Sequence, residues 1–213
     1  MSNVERALAA LGSGPLREDD LRRYVDPLFS RSLRETAGRI YLSNHSLGRG
    51  LDQTAQDIAE GLGLWYAKPG ETWEGWLAEM QAFRTRVAAL IGAPGPSCIV
   101  PKASAGQGLR AVLNRTDRPI RVIATRSEFD SIDLILKAYA ERGRIAMRWV
   151  ASADGGRYRR DDFLPAFEAG AELLVLSAVF FDSGQWLTEL GEIADLARTH
   201  GIEVLVDLYH AAG

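Results

Sequence analysis

From residue 120 onward, short apolar runs alternate with amphipathic stretches. Residues 120–124, 145–150, 173–176 and 202–206 are rich in Val, Ile, Leu and Ala, the composition of buried strands. Between them, residues 131–139, 161–167 and 190–199 place apolar side chains three or four apart, the period of a helix. Alternation of this kind builds a largely parallel sheet covered by helices, joined by right-handed crossovers. Read backward, the pattern adds a strand at 97–101 and a helix at 106–113. The expected fold is α/β and three-layered, a mostly parallel central sheet with helices on both faces.

Upstream the pattern is helical. Residues 4–11 read as a short helix ended by Gly12, and Asp19 is placed to cap a second helix running to Leu28. Residues 40–42 form a short extended entry to the loop 43–48. Residues 51–66 are helical, with Ile58, Leu62 and Trp65 on one stripe, and Pro69-Gly70 breaks the run. Residues 73–91 form a long amphipathic helix stopped by Gly92. Its stripe of Trp76, Met80, Phe83, Val87 and Leu90 is expected to pack into a core. The expected organisation is a helical arm over residues 1–69 and a sheet domain over 70–213.

Composition narrows the function classes. The 213 residues carry a formal net charge of -3, which attracts neither nucleic acid nor an anionic membrane. No apolar run approaches the ~20 residues of a membrane span. The N-terminus lacks the basic start and apolar run of a secretory signal. With Cys98 the single cysteine, no intrachain disulfide forms, so a cytoplasmic location is expected. Three histidines, His45, His200 and His210, and one cysteine far from them do not make a metal-ligand cluster, so no metal is expected.

Four segments carry polar groups at the ends of expected strands. Pro101-Lys-Ala-Ser-Ala-Gly-Gln-Gly108 leads into a helix, where small residues let backbone N–H groups approach an anion. It lacks the Gly-Lys-Ser/Thr ending of a nucleotide loop and serves equally as a plain strand-to-helix turn. In Thr125-Arg-Ser-Glu-Phe-Asp-Ser-Ile-Asp133, Phe129 either covers a flat ligand or packs on the sheet while Asp130 or Ser131 caps the helix. Ser177 to Gln185 puts polar groups at the mouth of the next strand, as an ordinary loop also does. Asp207 ends the last expected strand and His210 follows three residues later. A carboxylate at a strand's C-terminal end stands where open α/β sheets bind ligands, and a buried one calls for a positive or protonated partner.

Taken together, these segments resemble the aspartate-aminotransferase-fold enzymes that use pyridoxal 5'-phosphate (PLP), more narrowly the class V aminotransferases, and within them the kynureninases. The resemblance rests on Tyr41-Leu-Ser-Asn-His-Ser-Leu-Gly48, on Ser127-Glu-Phe129 with Asp133, on Ser177 to Gln185, and above all on Asp207-Leu-Tyr-His210-Ala-Ala-Gly213. It implies that Asp207 pairs with the pyridine nitrogen and that His210 lies beside the ring. Ser104, with the N–H groups of Ala105 and Gly106, is implied to hold the phosphate. Phe129 is implied to stack on the ring, Asp133 to join its polar surroundings, and Ser46 to reach the substrate. The sequence departs from the family pattern at His45, where Asn is usual, and in a Phe129-to-Asp133 spacing one residue longer than usual.

The implied activity is hydrolytic carbon–carbon cleavage of kynurenine to anthranilate and alanine, in a homodimer. The alternatives are another class V activity (desulfurase, lyase or aminotransferase) and a non-catalytic PLP-fold protein that binds a ligand or partner. The family's Schiff-base lysine falls beyond the Asp-x-x-His motif, so the 213 residues are expected to be a fragment and inactive alone.

Overall fold

In the computed structural model, which describes residues 1–211, the chain divides into two units, Met1–Pro101 and Lys102–Gly213. Ala212 and Gly213, the end of the motif that starts at Asp207, lie outside the described residues.

The first unit is helical. Helix α1 (Asn3–Leu11) starts at a reciprocal cap: Glu5 N–H donates to Ser2 Oγ at 3.1 Å, and Ser2 N–H donates to the Glu5 carboxylate at 2.6 Å. The helix expected to run from Asp19 to Leu28 is instead three pieces. These are α2 (Glu18–Asp20), a π turn (Leu21–Val25) and a 3-10 turn (Asp26–Phe29). Pro27 has no N–H to give an α-helical ladder. Asp19 sits inside the first turn, and the cap position belongs to Arg17, which makes no side-chain cap bond. Helix α3 (Ser30–Glu35) is capped from a distance, since the Asp52 carboxylate accepts from Ser30 N–H and Arg31 N–H, both at 3.1 Å. The Ser30 hydroxyl and these backbone donors hold Asp52 below the ordinary carboxylate range.

Helices α4 (Thr54–Ala67) and α5 (Thr72–Ile91) follow. They meet edge to face at Trp65 of α4 and Trp76 of α5, 6.1 Å apart, and Trp73 packs on Trp76 within α5 at 5.6 Å. The expected core stripe of α5 is only partly buried. Trp76 and Val87 are half-buried, but Met80, Phe83 and Leu90 are 45%, 50% and 79% exposed. The aromatic contact with α4 falls near the start of α5, upstream of these three side chains. The strand expected at 97–101 is also absent. Gly95 and Pro96 close a 3-10 turn (Pro96–Cys98), with Cys98 N–H donating to Gly95 O and Ile99 N–H to Pro96 O, both at 3.1 Å.

The second unit follows the predicted alternation: α6 (Ala105–Leu113), β1 (Ile120–Thr125), α7 (Asp130–Glu141), β2 (Ile145–Val150), α8 (Arg160–Glu168), β3 (Leu173–Ser177), α9 (Leu190–Thr199) and β4 (Glu203–Asp207). Among the described residues the strands form one sheet in the order β2-β1-β3-β4, every neighbouring pair parallel. Gly201, at φ +70°, lets α9 end and Ile202 N–H return to Ala197 O at 3.0 Å, aiming the chain into β4.

Strand alternation sorts the core into two faces. Val122, Ala124, Leu173 and Val175 pack against Leu109 and Leu113 of α6 and Ile132, Ile135 and Leu136 of α7. Ile123, Val150, Leu174 and Leu176 pack against Phe163 and Phe167 of α8 and Ile193 and Ala197 of α9. Each large side chain fully buried here contributes ~1.5–3 kcal/mol. This is the expected three-layer α/β arrangement. Strand β4 differs from its reading as a buried strand. As an edge strand of the described sheet it leaves Val204, Leu205, Val206 and Asp207 half-buried. Among the described residues no helix is long and apolar enough to cross a membrane.

Candidate functional site

The order β2-β1-β3-β4 contains a reversal. From β1 the chain steps one way to β2, and from β3 it steps the other way to β4, with β1 and β3 side by side. No crossover covers the gap between the C-terminal ends of two such strands, which makes it the usual ligand crevice of an open parallel sheet. The loops after β1, β3 and β4 all emerge at this end.

Three rings gather there. Phe129, following β1, meets Phe181, following β3, edge to face at 5.1 Å. His210, following β4, lies 5.9 Å from Phe181 at an interplanar angle of 28° and 6.3 Å from Phe129. Tyr209 stands edge-on to His210 at 5.1 Å. Asp207 closes β4 in register with Ser177, and Ala178 N–H donates to its backbone carbonyl at 3.0 Å. Its carboxylate accepts from Tyr209 N–H at 2.9 Å, which turns the chain so that His210 comes back toward the phenylalanines. The fold thus brings Phe129, Asp207 and His210 to one sheet end across more than eighty residues of sequence. Phe181 completes the cluster. Its segment stood out in the sequence, but nothing marked this ring within it.

At the ends of β1 and β3 lies a polar group that sequence reasoning passed over. Glu128 is 6% exposed, and its two carboxylate oxygens accept from Thr125 Oγ1 and Ser177 Oγ, both at 2.6 Å. Burial pushes its carboxyl above the ordinary glutamate value, and the two hydroxyls pull the other way. Next to it Gln185 clasps the backbone of Tyr158. Its amide oxygen accepts from Tyr158 N–H at 2.9 Å and its amide nitrogen donates to Tyr158 O at 2.6 Å. The Tyr158 phenol accepts from Arg126 N–H at 3.3 Å. Gly184, at φ +66°, permits the tight return that places Gln185, with Gly184 N–H on Phe180 O at 2.8 Å.

Four further predicted site residues, Ser104, Ala105, Gly106 and Asp133, stand at the start of α6 and on α7. Ser104 is exposed and caps α6, its hydroxyl accepting from Gln107 N–H at 3.2 Å. Ala105 and Gly106 open that helix, whose geometry leaves their N–H groups without intrahelical acceptors. Ser104 and Gly106 border a groove of about 370 Å³ between α6 and α7 that Arg110, Ser131 and Arg142 also line. Gly106 answers a packing need as well, since a Cβ there meets Ile135 Cδ1 at 2.9 Å. Asp133 pairs with Lys137 one turn along α7 at 2.6 Å. Ser46 belongs to the first unit, in a turn closed by its N–H on Ser43 O at 2.9 Å.

The likenesses to known proteins agree with this architecture. A mutant of C-DES with glycine covalently linked to its PLP cofactor superposes at a TM-score of 0.75, with 22% identity, over 88% of this chain and 50% of that one. The cystine C–S lyase C-DES with its product cysteine persulfide superposes at 0.74, with 20% identity, over 84% and 50%. The apo cysteine desulfurase of Thermococcus onnurineus NA1 gives 0.68, with 20% identity, over 92% and 48%. The chain thus spans about half the length of the solved structures it matches. No curated protein is a significant match. The profile of the family described as aminotransferase class-V matches residues 55–213, which take in the helix pair, the sheet and the Asp207 segment. The chain therefore belongs to the class V aminotransferase family, whose cofactor is pyridoxal 5'-phosphate.

Proposed function

We propose that the end of the sheet built from β1, β3 and β4 holds PLP, in an enzyme that cleaves a carbon–sulfur bond of a cysteine-like amino acid. The observation that carries the cofactor assignment is the Asp207 carboxylate on the strand end beside the rings of Phe129, Phe181 and His210. Flat rings and a half-buried carboxylate fit a flat heterocycle with a protonated ring nitrogen. When bound, the cofactor supplies an electron sink for bonds broken next to the substrate's amino-bearing carbon.

The chain's own residues do the rest. Asp207 holds a proton at the pyridine nitrogen, where a carboxylate in a half-buried site favours the charged form. Phe129 and His210 flank the ring and keep water from its faces. Ser104 and the N–H groups of Ala105 and Gly106 take the phosphate at the start of α6, where the helix field favours an anion. Asp133 belongs to the surrounding polar groups, and Ser46 faces the substrate. The working form is a homodimer acting on a small amino acid.

Carbon–sulfur cleavage is favoured because a cystine C–S lyase and a cysteine desulfurase share the fold over most of the chain. A second reading, kynureninase, draws on Asp207-Leu-Tyr-His210 and on the segment ending in Gly184-Gln185. The protein as its gene encodes it, loaded with PLP, is given L-cysteine, L-cystine or L-kynurenine. Sulfide or persulfide without anthranilate supports the first reading, and anthranilate without sulfide supports the second. Loaded protein that yields neither product overturns both.

A further inference from the structure

Glu128 has no part in the reading above, yet it is among the most buried charged residues of the second unit. Burying a carboxylate is costly, and a hydrocarbon side chain of similar volume often serves stability as well. What the carboxyl supplies is geometry. One oxygen is bound by Thr125, the last residue of β1, and the other by Ser177, the last residue of β3 and the register partner of Asp207. Phe129 is the next residue in the chain, and Phe181 stands four residues beyond Ser177. The Ser127 hydroxyl also reaches the Tyr158 phenol at 3.4 Å, and Gln185 holds the Tyr158 backbone, so the two loops are braced a second time at their far ends. The rings that flank the crevice are themselves half-buried or exposed, and edge-to-face contact alone gives them only ~0.5–1.5 kcal/mol.

We propose that Glu128 is a positioning residue of the cofactor site: by joining the ends of β1 and β3 through Thr125 and Ser177, it sets the Phe129–Phe181 wall and the strand end beside Asp207. The inference rests on the reading of this sheet end as the PLP site. It is tested on the protein as its gene encodes it, by titrating PLP into the parent and into Glu128→Gln, Glu128→Met and Glu128→Ala. The readouts are affinity, visible circular dichroism of the bound cofactor, and the melting temperature of the cofactor-free protein.

Glu128→Gln keeps an acceptor for Thr125 and a donor for Ser177, so its affinity stays within about threefold of the parent and its visible dichroism is unchanged. Glu128→Met keeps the volume, and its cofactor-free melting temperature stays near the parent's. Because it leaves both hydroxyls untied, it binds PLP about tenfold more weakly with reduced dichroism. That separation of stability from cofactor geometry is what a merely structural role does not produce. Glu128→Ala shows the same loss of affinity, and if it fails to fold the Met and Gln pair still decides. A Met variant that binds PLP with parental affinity and dichroism overturns the inference while leaving the cofactor site standing. A parent that binds no PLP overturns the cofactor reading and the inference with it.

Discussion

Gln185→Ala isolates what one side chain does for the loop after β3. The Gln185 amide meets both backbone polar groups of Tyr158, accepting from its N–H at 2.9 Å and donating to its carbonyl at 2.6 Å. The Tyr158 ring is 5% exposed and packs 4.8 Å from Phe180, so the backbone beside it cannot swing out to find new partners without uncovering that ring. Losing each hydrogen bond costs ~1 kcal/mol net, and more where the orphaned group stays shielded from water, so the truncation is expected to cost about 2–3 kcal/mol. For a chain of this size that lowers the melting temperature by about 5–10 °C. Gln185→Glu is the sharper probe. Its carboxylate still accepts from Tyr158 N–H but turns an oxygen toward the Tyr158 carbonyl, so it is expected to melt no higher than the Ala variant. Thermal unfolding followed by far-ultraviolet circular dichroism gives the shift, and hydrogen exchange at the Tyr158 amide localises it. An Ala variant that melts within about 1 °C of the parent with full protection of that amide refutes the reasoning.

Four further outcomes follow from the same geometry. Because burial raises the Glu128 carboxyl, its contribution to stability is fullest below the ordinary glutamate value of about 4.3 and is lost as pH rises through the raised native value. Urea unfolding across pH is therefore expected to show Glu128→Gln gaining on the parent as pH rises, and parallel curves contradict this. Gly106→Ala sets a helix-propensity gain of ~1 kcal/mol against a 2.9 Å approach to the mobile end of Ile135, so its unfolding free energy changes by under about 1 kcal/mol. Asp207→Ala is expected to weaken PLP binding by about thirtyfold or more, checked by absorbance titration; an unchanged affinity removes Asp207 from the cofactor site. Phe163→Ala, at a fully buried position of the α8 face, is expected to cost ~3–5 kcal/mol in urea unfolding.

The second unit was legible because its signals are local. Residues 145–150 and 190–199 read as strand and helix from side-chain period alone, and the structure has those bounds. The first unit was harder, since Pro27 and the Gly95-Pro96 pair divert the backbone into 3-10 and π turns that periodicity does not register. Position within the sheet was not legible either. Residues 202–206 carry the apolar pattern of an inner strand, yet β4 lies at an edge of the described sheet, a fact fixed by pairing rather than by composition. The strand-end residues Phe129, Asp207 and His210 stood out through their place after apolar runs. Glu128 did not, because a glutamate in a loop reads as a solvent-facing charge. What buries it is Ser177, forty-nine residues downstream. Asp133 is singled out only by the family resemblance, and its pairing with Lys137 follows from the turn of α7.

The reversal of strand order at β1 and β3 also governs the order of assembly. Every strand pair in the sheet is parallel, so each needs a crossover closed before it can form, and such non-local pairings come late and slowly in folding. Phe129, Phe181 and His210 meet only after β3 has docked on β1 and β4 on β3. A chain still threading these crossovers has no crevice for a ligand. Cofactor capture is thus a reporter of completed folding, and it stabilises only the finished sheet.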